Sequence, residues 1–187
     1  GAERSVGYGL LGHVFISYDP KETLTANDSS SRINLAVAAH NLLRWVILIL
    51  LVLSIFKAWS GWSGKKVFSD GDRKTWLFTM IAAHTTLLLG LIQWLFGRFG
   101  IFTHPREEET SFMKNKFYRF YWLEHPIMMI LVIVFITLGY LQSKKAIPDA
   151  SKYKKALIFF LLALLLALAA IPWPFRGEVG RPLFPGM

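Results

Sequence analysis

A chain of 187 residues with 53% hydrophobic and only 18% charged residues carries more apolar surface than one soluble core of that size buries, which implies an apolar solvent. The formal charge of +9 does not point to nucleic acid, because the lysines and arginines gather just outside the apolar runs, where lipid headgroups lie. Cysteine is absent, which excludes disulfides, thiolate metal centres and a covalently attached c-type heme.

Residues 1–32 read as an extramembrane segment. The stretch from Gly7 to Ile16 is apolar and glycine-rich but too short to span a bilayer. The order of charge, apolar core and small-residue cleavage site that marks a signal peptide is missing. Asn27-Asp28-Ser29-Ser30-Ser31 reads as a loop or helix entry. The expectation is a segment lying on the membrane surface or bound by a partner.

A helix needs about 20 apolar residues to cross the hydrocarbon core. Four stretches qualify: about Ile33–Trp59, Thr75–Phe96, Phe120–Leu141 and Ala156–Trp173. No polar side chain interrupts Ile158–Leu168 in the last. Trp59, Trp62, Trp76, Trp94, Tyr118, Tyr121, Trp122, Tyr140 and Trp173 fall near span ends, as an aromatic belt requires. The fold predicted is an all-α, integral membrane four-helix bundle with up-down topology.

Alternation of direction puts the loop with Lys57, Lys65, Lys66, Arg73 and Lys74 on the same face as the loop with Lys144, Lys145, Lys152, Lys154 and Lys155. Arg98, Arg106, Lys114, Lys116 and Arg119 lie on the other. The basic counts nearly balance, and the orientation expected is with both termini outward. The proline density from Pro172 onward rules out helix, so residues 176–187 are read as an irregular tail along the interface.

Ionisable groups inside a span mark function by default. His40, His84 and His125 stand one on each of three spans, with Arg44 beside the first and Glu124 beside the last. At about 1.5 Å of rise per residue, His40 lies roughly 10 Å and His125 roughly 8 Å below the face where their spans begin, while His84 is near the midplane. Two neutral imidazoles at similar depth on facing helices are what a bis-histidine heme b needs, so His40 and His125 are the preferred axial pair and His84 the substitute. Arg44, one turn from His40, would pair with a heme propionate or with Glu124. Glu124 is alternatively a hydrogen-bond partner that orients a histidine. The plainer reading makes each histidine an interhelical hydrogen-bond donor worth roughly 0.6–2 kcal/mol. Pro126 reads as a first-turn or kink residue. His13 and His104 read as surface residues. No Walker loop, HExxH, CxxC or pair of carboxylates within a span is present.

In combination, His40-Asn41-Leu42-Leu43-Arg44-Trp45, Gly64-Lys65-Lys66, Asp72-Arg73-Lys74, His84-Thr85-Thr86-Leu87-Leu88-Leu89-Gly90-Leu91, Glu124-His125-Pro126-Ile127-Met128-Met129 and Ile171-Pro172-Trp173-Pro174-Phe175-Arg176 resemble the small four-helix membrane proteins of Bacteroidota commonly named cytochrome B. The resemblance covers residues 36–183 or so. It implies a bacterial inner-membrane protein that holds a heme. The function expected is electron transfer through heme b within or beside a respiratory membrane complex, as a carrier or subunit rather than an enzyme by itself. The alternative is a heme-free structural or accessory subunit of a larger membrane complex. A third reading is a quinone site that uses His84.

Overall fold

The computed structural model describes residues 20–97, 99–103 and 113–184. Two compact units are distinguished, Gly1–Leu35 and Ala36–Met187. Helix α1 runs Pro20–Ser63, α2 runs Asp70–Phe96 and α4 runs Asp149–Ala170. Between the last two, α3 is a helical rod, Lys116–Lys144. It is built from an α-turn Lys116–Arg119, a π-turn Phe120–Glu124, an α-helix His125–Leu141 and a 3-10 turn Gln142–Lys144. All four are long and apolar enough to cross a membrane, with α1 contributing Asn34–Ser63. The expected all-α, up-down, membrane-spanning bundle is therefore the fold observed.

The boundaries differ where polar residues continue a helix. Asn27–Ser31 lies inside α1, not in a loop, because neither glycine nor proline occurs between Pro20 and Gly61 and Pro20 suits a first turn. Helix α2 begins at Asp70 because Ser69 and Asp72 form a capping box: the Ser69 hydroxyl accepts from the Asp72 N–H, and the Asp72 carboxylate accepts from the Ser69 N–H. Helix α4 stops at Ala170, short of Trp173, because Pro172 has no N–H to offer Leu168 O. His13, His104 and most of residues 1–32 lie outside the described residues, as does the acidic run Glu107–Glu109.

The core draws on every helix, with Ile47, Leu51 and Ala58 of α1, Trp76 and Ala83 of α2, Val132 and Ile136 of α3, and Phe160, Ala163 and Ala167 of α4 all buried. Large apolar residues also cover the outside, among them Ile49, Phe56, Leu88, Val134 and Leu165, as helices immersed in lipid require. Since lipid is as apolar as leucine, close packing and polar contacts must hold the helices together. Gly139 is one such device. It lets α3 approach Phe160 of α4 so closely that a methyl group there would enter the ring. Another is the buried hydrogen bond, 2.8 Å, between the hydroxyls of Ser54 on α1 and Thr79 on α2.

At one end the α1–α2 and α3–α4 connections meet. The Phe68 N–H donates to Asp149 Oδ2 at 3.0 Å, and the Tyr153 hydroxyl donates to Asp72 Oδ2 at 2.6 Å. Lys57 Nζ reaches Asp72 Oδ1 at 3.3 Å. Phe68, Trp76, Tyr153 and Phe160 stack at tilted or edge-on angles beneath this network. These contacts put the two basic loops on one face, as alternation of direction predicts.

Candidate functional site

The opposite end is shaped by two prolines. Pro126 lies inside α3 with no N–H, and its ring cannot tolerate a normally placed Trp122 carbonyl. The helix widens there into the π-turn, in which the His125 N–H donates to Phe120 O, five residues back. The released Trp122 carbonyl accepts from Trp94 Nε1 of α2 at 3.1 Å. Trp122 Nε1 in turn donates to Phe99 O at 2.8 Å. The extra residue per turn also puts Arg119 and Glu124 on one side, and Arg119 Nε donates to Glu124 Oε1 at 2.8 Å.

Pro172 leaves the last carbonyls of α4 without the backbone donors of a continuing helix. Side chains supply nearly all of them. Trp173 Nε1 donates to Leu168 O at 2.8 Å, Arg176 Nη1 to Ala169 O at 2.8 Å, and His125 Nδ1 to Ala170 O at 2.9 Å. Ile171 O accepts from the Trp173 N–H at 2.9 Å and from Arg176 Nη1 at 3.3 Å. A carbonyl only accepts, so His125 carries a proton on Nδ1, and in the neutral ring Nε2 keeps its lone pair.

His40 is at this end too, one turn before Arg44, which bonds the tail. The His40 ring lies against Gly90, where a Cβ would come within 3.2 Å of Cε1. His40 Nδ1 is buried with no hydrogen-bond partner, and so is Arg44 Nε, one turn along α1. Arg44 Nη2 donates to Leu183 O at 2.6 Å, and Trp45 Nε1 donates to the same oxygen at 3.0 Å. Trp45 also stacks on Phe184, with ring centroids 5.7 Å apart. The tail is therefore bound to the bundle rather than loose on its surface. Tyr121 donates its hydroxyl proton to Val179 O at 2.7 Å, and Arg181 lies over the Phe99, Phe117 and Tyr121 rings.

Two sequence expectations are corrected by this geometry. Glu124 pairs with Arg119, not with Arg44, because the π-turn brings positions five apart together. His84 is no substitute ligand for either histidine: it is on the exposed face of α2, with Nδ1 donating to Met80 O at 2.9 Å. His40 and His125 share one end of the bundle, as matching depth suggests. Among the described residues no group of three or more His, Asp or Glu side chains converges on a metal position. Sequence reasoning missed Arg119, Arg176 and Trp94. The signal available for the last two was the pair of prolines, each of which leaves a carbonyl in need of a donor.

The tail contact carries a prediction. Arg44→Leu removes a charge-assisted bond to Leu183 O, so trypsin should cleave after Arg176 about tenfold faster than in the wild type, the scale of one such bond. An unchanged cleavage rate would mean that Arg44 does not hold the tail.

Compared with models of protein families, with curated proteins and with solved structures, the chain matches none of them.

Proposed function

We propose that this chain is a membrane-embedded b-type cytochrome of the bacterial inner membrane, an electron-transfer subunit within or beside a respiratory complex, with His40 and His125 as axial ligands. The observation that carries this reading is the buried His40 Nδ1 without a partner, at the same end of the bundle as a histidine whose other nitrogen is already bound. An unpartnered polar atom in a span is costly unless a ligand takes it. His125 has the arrangement expected of a ligand, one nitrogen donating to a backbone carbonyl so that tautomer and ring orientation are set. Gly90 leaves the rim of His40 without a facing side chain, and Ala36, Ala39, Ala82 and Ala83 keep bulk low nearby. Arg44 has a nitrogen left for a propionate.

When bound, heme b supplies a one-electron couple whose potential depends on axial ligation and burial. The chain orients His125 through its bond to Ala170 O and sets both rings inside apolar spans.

A second reading, a heme-free subunit docked on a larger membrane assembly, is favoured by a different observation. His125 and Arg176 already have structural roles at the end of α4, and His84 and Thr85 face outward within a span. The reduced-minus-oxidised visible spectrum of protein purified from heme-replete cells separates the two. Sharp b-type bands are expected, and a featureless spectrum would leave only the second reading.

A further inference from the structure

Where α3 begins, an open-sided cleft of about 410 Å³ is lined by Lys116, Arg119, Phe120, Glu124, Arg176 and Glu178, among others. We propose that this cleft binds the phosphodiester of an anionic phospholipid headgroup, a role independent of the heme reading.

Charge is the first argument. Three cations face two carboxylates around the cleft, leaving one positive charge in excess. Arg119 and Glu124 neutralise each other at 2.8 Å. What remains is Lys116 and Arg176 against Glu178. Lys116 and Glu178 have no partner among the described residues. Arg176 uses only Nη1, on Ala169 O and Ile171 O, while its guanidinium is held over the buried Phe120 ring at 4.8 Å. Nε and Nη2 are left over on a side chain whose position is already set, and an arginine edge suits two phosphate oxygens.

Depth is the second. Lys116 is the first residue of the third span, and Arg176 follows closely on the last residue of the fourth. The cleft therefore opens where headgroups lie, beside Tyr118, Tyr121 and Trp122 of the aromatic belt. Glu178 selects between sources of phosphate. A second negative charge on the ligand would face this carboxylate, which favours the monoanionic diester of a lipid over free phosphate.

The test is thermal unfolding in neutral detergent with added phosphatidylglycerol, phosphatidylcholine or inorganic phosphate. Phosphatidylglycerol should raise the midpoint more than phosphatidylcholine, and inorganic phosphate should leave it unchanged. Lys116→Gln removes no contact within the described protein, so it should fold normally and lose about 3 °C of that difference. Lys74→Gln, at the opposite end of the bundle, should keep the full difference. Equal shifts with the two lipids, or a Lys116→Gln variant that responds like the wild type, would overturn the proposal. So would an equal effect of inorganic phosphate, which would assign the cleft to a soluble anion.

Discussion

His125→Ala is expected to abolish the b-type bands and, with or without heme, to lower stability by about 1–3 kcal/mol, because Ala170 O is left partly buried with no donor. His40→Ala should abolish the bands as well, but without that second cost, since its Nδ1 makes no bond in the protein. His84→Ala should change neither, because its ring bonds only its own helix on the exposed face. The spectra and unfolding midpoints of the three variants together separate ligation from capping. Bands that survive in both His40→Ala and His125→Ala would remove the proposed axial pair. A destabilised His125→Ala set against a wild type without bands would identify a helix cap alone.

Asp72→Ala should cost about 3 kcal/mol, measured as loss of thermal stability in detergent. Its carboxylate, 16% exposed, accepts from Tyr153 at 2.6 Å, from Ser69 Oγ at 2.7 Å and from Lys57 at 3.3 Å, and so ties α1, α2 and α4 together. One carboxylate shared among these donors and the Ser69 N–H does not give additive terms. Losing it leaves the Tyr153 hydroxyl with only Val67 O at 3.3 Å and the Lys57 ammonium with only Gly71 O at 3.1 Å, and opens the α2 capping box. Asp72→Asn keeps one oxygen and should recover part of the loss. Lys57→Gln, at an ammonium that is 37% exposed, should cost less than about 1 kcal/mol. An Asp72→Ala variant as stable as the wild type would show that the loops are held by aromatic packing alone.

The number of helices, their order and the alternation of direction were legible because hydropathy over about 20 residues is a strong signal. Helix ends were less so. Hydropathy stops at Thr75 and Ala156, whereas the backbone continues through Asp70–Lys74 and Asp149–Lys155 on the strength of caps and short-range bonds. Matching depth was enough to group His40 with His125. Rotation about the helix axis was not legible. His84 has small neighbours in sequence and still faces outward, because which side of α2 is covered depends on the other helices. The Arg119–Glu124 pair was hidden for another reason. In an α-helix, partners stand three or four apart, and only the π-turn makes a spacing of five productive.

The way α4 ends fixes its length. Leu168, Ala169 and Ala170 each present a carbonyl to a side chain from a different place in the chain: Trp173, Arg176 and His125. One residue inserted into α4 would rotate this end by about 100° and advance it by about 1.5 Å. Ala170 O would leave His125 of α3, and Arg176, carried round with the helix end, would leave the Phe120 ring. The outward positions are unconstrained by comparison. Leu161 and Leu165 face outside at 41% and 64% exposure, and there one apolar residue serves as well as another. Helix α4 can thus drift widely in composition while its residue count stays fixed.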